Sequence, residues 1–267
     1  MLNKVLIVGD EIIDRYSVCK ATRLSPEAPV PVLVRQDEKC RISAGGGALV
    51  RDNLAALGIE STCLWGSVSH KERFFAGGQM VCRVDADSVE VRDIEQQVLS
   101  ALPSTHAIVI SDYGKGGVTE WVADMLVVSG KACFVDTKNS HIEWFSGPNV
   151  TLFPNEHEYS AHVNGKEHLF GSVIAKLGEN GCRVWDGALQ RVHVPAKKRE
   201  VRDVCGAGDV FMATYVWAML SGMSSTEAAI AANEAAGISV EHAGTYILSP
   251  QDISKLHRSP AGQGRSW

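Results

Sequence analysis

The segment Asp203-Val-Cys-Gly-Ala-Gly-Asp209 leads directly into a stretch, Val210 to Leu220, that is apolar almost all round. A helix apolar on every side is a buried one, so Gly206, Ala207, Gly208 and Asp209 stand at the mouth of a core helix over Ala207–Leu220. Glycines let the backbone turn tightly and approach a ligand, and the first N–H groups of a helix have no partner inside it. Such an entrance stabilises developing negative charge, as on a phosphoryl group in transfer. A carboxylate there has two roles open to it: it caps the helix, or it takes the proton of an attacking hydroxyl as a general base. These four residues alone do not choose between the two.

The elements that must position this entrance can be read from the hydrophobic pattern. Val5–Val8, His106–Ile110, Ala132–Val135 and Thr151–Phe153 are short apolar runs of the buried-strand kind, and Ala48–Leu57, Ile94–Leu102 and Val118–Val128 carry helical periodicity. Alternation of strand and helix predicts an α/β fold with a mostly parallel central sheet between helices. Residues 13–42 break the rhythm with Pro26, Pro29 and Pro31 among Val30, Val32 and Val34, and residues 79–85 form a further strand; both predict a small β-structured lid on the main sheet. After the core helix, Gly222 is a stop signal and Ser224-Ser-Thr-Glu227 a capping box opening a second helix to about His242. Residues 1–258 thus make one domain, with 259–267 a small, polar, flexible tail.

Composition narrows the function. The chain has 267 residues, 45% hydrophobic and 21% charged, with a net charge of −5. No basic excess exists to draw nucleic acid or an anionic membrane as a partner. The apolar run near Met1 is too short for a signal peptide and nothing approaches a membrane span, which predicts a cytoplasmic protein. Seven scattered cysteines without a C-x-x-C pair are expected as reduced, mostly buried thiols; only Cys205 stands out, by its place in the glycine loop.

Asp203–Phe211 resembles the C-terminal signature of ribokinase-type (PfkB) carbohydrate kinases, and the resemblance implies a ribokinase-like fold, ATP and Mg2+ as cofactors, and Asp209 as catalytic base beside the Gly206–Gly208 amides. Thr151-Leu-Phe-Pro-Asn-Glu-His-Glu158 is similar to the family's P-N-x-x-E segment, which implies Asn155 and Glu158 as organisers of magnesium, through water, and of the nucleotide phosphates. Leu177-Gly-Glu-Asn-Gly181 resembles the loop beside the ATP ribose, and Ala231-Ala-Asn-Glu-Ala-Ala-Gly237 with Gly244-Thr245 the helix and turn around adenine. Lys138, Asn155, Gly178, Glu179, Gly181, Asn233 and Gly237 are accordingly the implied nucleotide-binding residues. Gly9-Asp10 through Asp14 and Gly45-Gly46-Gly47 match the substrate side, implying Asp14 and the three glycines as sugar contacts.

A narrower resemblance covers Asp14-Arg-Tyr, Thr22–Val32 and Ser111-Asp-Tyr-Gly-Lys-Gly116. These are similar to the kinase half of ADP-heptose synthases, which phosphorylates the anomeric hydroxyl of heptose 7-phosphate; by that analogy Lys115 faces a substrate phosphate. The implied partner is a small sugar or sugar phosphate. Lids of this kind pair strands between subunits, which implies a homodimer through the lid.

The sequence also departs from the pattern. Relatives carry G-G-x-x-N in the glycine turn, where the Asn contacts a sugar hydroxyl, and Leu49 stands there instead, unable to donate or accept. The stretches between Gly66 and residue 79 and between Glu158 and Ser172 are short. These departures keep two other readings open: a sugar- or nucleotide-binding protein without turnover, and a kinase for a nucleoside or other small alcohol. His157-Glu-Tyr-Ser-Ala-His162 misses the i,i+4 spacing of a zinc helix; Gly45-Gly46-Gly47 lacks G-x-G-x-x-G, and no P-loop occurs.

Overall fold

Lys4 to Leu24 forms one strand of 21 residues, β1, whose first half is core and whose second half is lid. The structure, a computed structural model, describes residues 4–187 and 190–256. The strands that follow are β2 (Pro31–Arg35), β3 (Arg41–Gly46), β4 (Glu60–Ala76), β5 (Gln79–Val91), β6 (Ala107–Asp112), β7 (Ala132–Thr137), β8 (Gly147–Leu152), β9 (Phe170–Lys176), β10 (Cys182–Asp186) and β11 (Gln190–Val194). The helices are α1 (Gly47–Ala56), α2 (Glu95–Ala101), α3 (Glu120–Val128), α4 (Glu156–Glu158), α5 (Ala207–Leu220), α6 (Ser225–Ser239) and α7 (Pro250–Leu256).

The central order is β11-β10-β9-β8-β7-β6-β1-β4-β5, with β2 and β3 added to the lid half of β1. From β9 through β6 and β1 to β4 the pairing is parallel. Both faces of this part are covered, which is why its strands read as continuous apolar runs. Val5 and Ile7 face a core with α1, α5, α6 and α7, and Leu6 and Val8 face one with α2 and α3. Helix α5 matches its predicted bounds; Val210 to Ala218 is buried throughout. The predicted capping box at Ser224 and Glu227 is present, but α6 ends at Ser239 rather than His242. There the Val240 carbonyl accepts the Arg202 amide at 2.8 Å, tying the helix end to the segment that leads into the glycine loop.

The lid is larger than the pattern of residues 13–42 and 79–85 suggests, and it is not a separate flap. β1 and β4 pair in parallel from Lys4↔Glu60 to Cys19↔Ala76, passing from core into lid with one register shift at Gly9/Asp10. Residues 67–76, the short stretch between Gly66 and residue 79, are the outer half of β4. The turn Gly77-Gly78 then returns the chain as β5, both glycines at positive φ (59° and 83°), as a two-residue hairpin of matching twist demands. On the cleft face of the lid two rows cross the strands: Arg41–Tyr16–Arg73–Arg83 and Ser43–Asp14–Lys71–Asp85. The expected tail, 259–267, lies outside the described residues.

Candidate active site

Gly206 is the N-cap of α5 at φ +76°, and a Cβ added to it would run into Leu49 Cδ2. Asp203 fixes the approach, accepting the Cys205 amide at 3.0 Å and the Gly244 amide at 2.9 Å. Asp209 follows in the first turn, 4% exposed. No side chain caps this helix, so the capping role falls away; Asp209 Oδ1 instead accepts the Tyr113 hydroxyl at 2.9 Å.

Burial and the nearby Asp136 raise the Asp209 carboxyl to about 7, against the opposing pull of Tyr113, Lys176 and Lys138. A carboxylate in that range is matched to proton transfer near neutral pH. Asp136, itself buried, accepts from Lys176 and, at 3.2 Å, from Lys138. Burial alone would raise its carboxyl, but the two ammonium groups outweigh that and hold it below the usual value. Lys138 continues the chain of charge to Glu158 at 2.7 Å. Lys176 Nζ also lies 3.4 Å from where a Gly208 Cβ would stand, so its ammonium faces the first turn of α5.

On the lid side of the cleft, Asp10 is fully buried and accepts the Ser67 hydroxyl and the amides of Tyr113, Lys115 and Gly117, which shapes the loop after β6. Asp14 pairs with Arg73, and its carboxylate fills the space where a Gly45 Cβ would go. A Gly46 Cβ would stand 3.1 Å from the Tyr113 ring, and a Gly47 Cβ 2.6 Å from Trp65, so the glycine turn is pressed onto the cleft. Leu49, 1% exposed, closes the wall against Gly206. Tyr16 lies between the guanidinium groups of Arg41 (4.6 Å) and Arg73 (5.2 Å). Cys205 lies 3.7 Å from both the Tyr16 hydroxyl and Arg73. Burial, then Asp14, pushes its thiol up, which keeps it a protonated packing group rather than a nucleophile.

The predicted residues divide accordingly. Gly206, Ala207, Gly208, Asp209, Lys138 and Glu158 come together in one charged cluster. Asn155 joins it through a β-bridge to Lys176 and a capping box with Glu158 (2.9 and 2.8 Å). Asp14, Gly45, Gly46 and Gly47 face that cluster across Tyr113. Gly178, Glu179 and Gly181 extend from Lys176 at the carboxyl end of β9. Asn233 and Gly237 stand further off on α6, Asn233 donating to the Val194 carbonyl (3.2 Å) and Gly237 packing on Arg199. Lys115 pairs with Asp87 of β5 at 2.5 Å. For magnesium, both Glu158 oxygens already hold Lys138 and the Asn155 amide, and among the described residues no group of three or more acidic, His or Cys side chains could hold a metal. The set fits an ion that arrives on nucleotide phosphates and keeps its waters, not a protein-built cage.

Tyr113, Asp136, Lys176, Arg73 and Lys71 were not singled out from the sequence. Asp136 and Lys176 sit at the carboxyl ends of β7 and β9, where open α/β sheets bind ligands. That rule, applied to every strand, finds both.

A family model of the pfkB carbohydrate kinases matches residues 137–252, a span that contains Lys138, Asn155, Glu158, Lys176 and Asp209. The bifunctional protein HldE of Aeromonas salmonicida is 32% identical over 302 aligned positions, covering 94% of this chain and 63% of that one. Its counterpart from Paramagnetospirillum magneticum is 32% identical over 319 positions, covering 98% and 65%. The chain thus spans less than two thirds of these relatives. Both alignments are longer than its own 267 residues, so the relatives carry residues it lacks. Among solved structures, Arabidopsis thaliana ribokinase complexed with ribose and ATP superposes with a TM-score of 0.77 at 18% identity, covering 96% of this chain and 99% of that one. That likeness shows the fold to be ribokinase-like. With the family match over residues 137–252 falling on the charged cluster around Asp209, the chain carries a pfkB carbohydrate kinase domain.

Proposed function

We propose that the chain transfers the γ-phosphoryl group of ATP to a hydroxyl of a sugar or sugar phosphate, with O1 of heptose 7-phosphate as the first candidate acceptor. The observation that carries this is Asp209: a buried carboxylate raised to about 7 at the entrance of a helix, beside a cluster of two lysines. The acceptor lies under the lid against Asp14 and the Gly45–Gly47 turn. Its hydroxyl gives a proton to Asp209 as the oxygen attacks phosphorus. The first-turn amides of α5, with Lys176, face the charge that develops on the transferring group. Lys138, Gly178, Glu179, Gly181, Asn233 and Gly237 flank the nucleotide. Magnesium bound with the phosphates would offset their charge, held through water by Glu158 and Asn155. The reaction belongs in the cytoplasm. A lid-to-lid homodimer goes with it, supported by the apolar surface the lid exposes, including Ile42 at 61% and Val84 at 54%.

The test is magnesium-dependent ADP formation with heptose 7-phosphate, hexose phosphates and free sugars. Turnover with one acceptor class, abolished by Asp209→Asn, is the expected result. Near-normal turnover in that variant sinks the assignment. A silent panel beside tight sugar binding would favour a non-catalytic binder, the reading for which Leu49, an apolar wall where a hydroxyl contact is expected, speaks.

A further inference from the structure

The acids of the cleft are matched. Asp14 pairs with Arg73, Asp85 with Arg83 at 2.8 Å, Asp87 with Lys115 at 2.5 Å, and Asp136 with Lys138 and Lys176. Asp209 takes the Tyr113 hydroxyl. Lys71 is different. It sits on β4 in register with Asp14 of β1 and Asp85 of β5, on the cleft face of the lid, yet both of those carboxylates are held by arginines. Among the described residues Lys71 forms no ion pair. Its ammonium stands 5.8 Å from the centroid of the Tyr113 ring.

That ring is flanked by two ammonium groups, each at 5.8 Å: Lys71 from the lid, and Lys138 from the nucleotide side. Lys138 is neutralised by Asp136 and Glu158. Lys71 is half-buried and is not neutralised. A partly desolvated ammonium beside an aromatic ring gains little from the ring compared with what an anion would supply. Arg41, in the neighbouring row of the cleft face and also without an acid, is engaged by the Ala243 carbonyl at 3.0 Å and by the Tyr16 ring. Lys115, which the family resemblance aims at a substrate phosphate, is already engaged by Asp87.

We propose that Lys71 is the specificity-determining residue that reads a phosphate monoester on the acceptor sugar, in place of Lys115. This rests on the acceptor-side assignment above. A phosphate monoester carries close to two negative charges at neutral pH and three acceptor oxygens, the complement an unpaired ammonium lacks. The acceptor class is therefore sugar monophosphates, with free sugars bound less well.

Calorimetric titration tests this without requiring turnover. Wild type, Lys71→Met, Lys71→Arg and Lys115→Met are each titrated with heptose 7-phosphate, with fructose 6-phosphate and with free fructose, and with ADP as a control for an intact fold. Wild type should bind the phosphorylated sugars at least about tenfold more tightly than free fructose. Lys71→Met should weaken sugar-phosphate binding by about 10- to 100-fold while leaving ADP and free fructose unchanged, and Lys71→Arg should keep most of the preference. The proposal is overturned if the preference survives Lys71→Met, if it is lost in Lys115→Met instead, or if wild type binds none of the phosphorylated sugars more tightly than free fructose. Because binding is the readout, absent turnover would count against the kinase assignment alone.

Discussion

The Tyr113 hydroxyl donates to Asp209 across 2.9 Å, joining the loop after β6 to the entrance of α5. A donor on the charged form favours it, so Tyr113 is one of the groups that keep Asp209 from rising further.

Tyr113→Phe removes that donor and leaves the ring. The carboxyl should move up by about one pH unit, the equivalent of one hydrogen bond to a charged group. The acid limb of kcat/KM then shifts upward: turnover at pH 6 falls about tenfold relative to wild type, and much less at pH 9. A pH–rate profile with an unmoved acid limb would remove Tyr113 from any role in tuning the base.

Asp209→Asn should bind ATP and lose several orders of magnitude in kcat, as expected when a positioned base and its charge are both removed. Stability should move the other way. The folded carboxyl titrates near 7 and the unfolded one near its ordinary 3.8, so the folded state holds the proton more tightly. That contribution is complete below about pH 4 and lost as pH rises through 7. Asn stays neutral, so the variant should gain on wild type between pH 5 and pH 8, by about 2–3 kcal/mol. Denaturant melts at the two pH values measure it.

Gly206→Ala meets two obstacles, a left-handed φ of +76° and Leu49. It should cost about 2–4 kcal/mol. Leu49→Ala alone should cost about 2–5 kcal/mol through its cavity. Adding it to Gly206→Ala should cost less than the sum, because the contact term vanishes while the φ term stays. A double-mutant cycle on melting reads this directly; strict additivity would mean that Leu49 and Gly206 do not press on each other.

Lys176→Met leaves buried Asp136 with one partner instead of two. Breaking a buried pair in this way costs about 3–5 kcal/mol, and the kcat of phosphoryl transfer should fall about 100-fold or more as the cation facing Gly208 goes. Asp136→Asn in the same chain should recover most of the stability and little of the rate. Recovery of both together would make Lys176 a structural partner only.

Much of the fold was legible because its signals are local. Val5–Val8 is buried on both faces, so it reads as an unbroken apolar run, and α5 shows its depth by having no polar side. The outer half of β4 was not legible: Ser67–Ala76 mixes charged and apolar residues, and only the long partner strand β1 makes it a strand. Asp209 was visible through its glycines, whereas Asp136 has no glycine or proline beside it, and Lys176, although it leads into the Gly178–Gly181 loop, is the last residue of a strand.

By itself, the sequence determined the alternation of buried strands and helices, the helix entrance at Gly206–Gly208 and the carboxylate placed there. Only the tertiary structure decided what that carboxylate touches and which charges pair. Tyr113 reaches Asp209 from 96 positions away, Lys115 is claimed by Asp87, and Lys71 is left over. Backbone propensity and apolar patterning act between near neighbours along the chain. A charge is well solvated wherever water reaches it, so its partner is chosen only when packing brings distant segments within a few ångströms and removes the water between them.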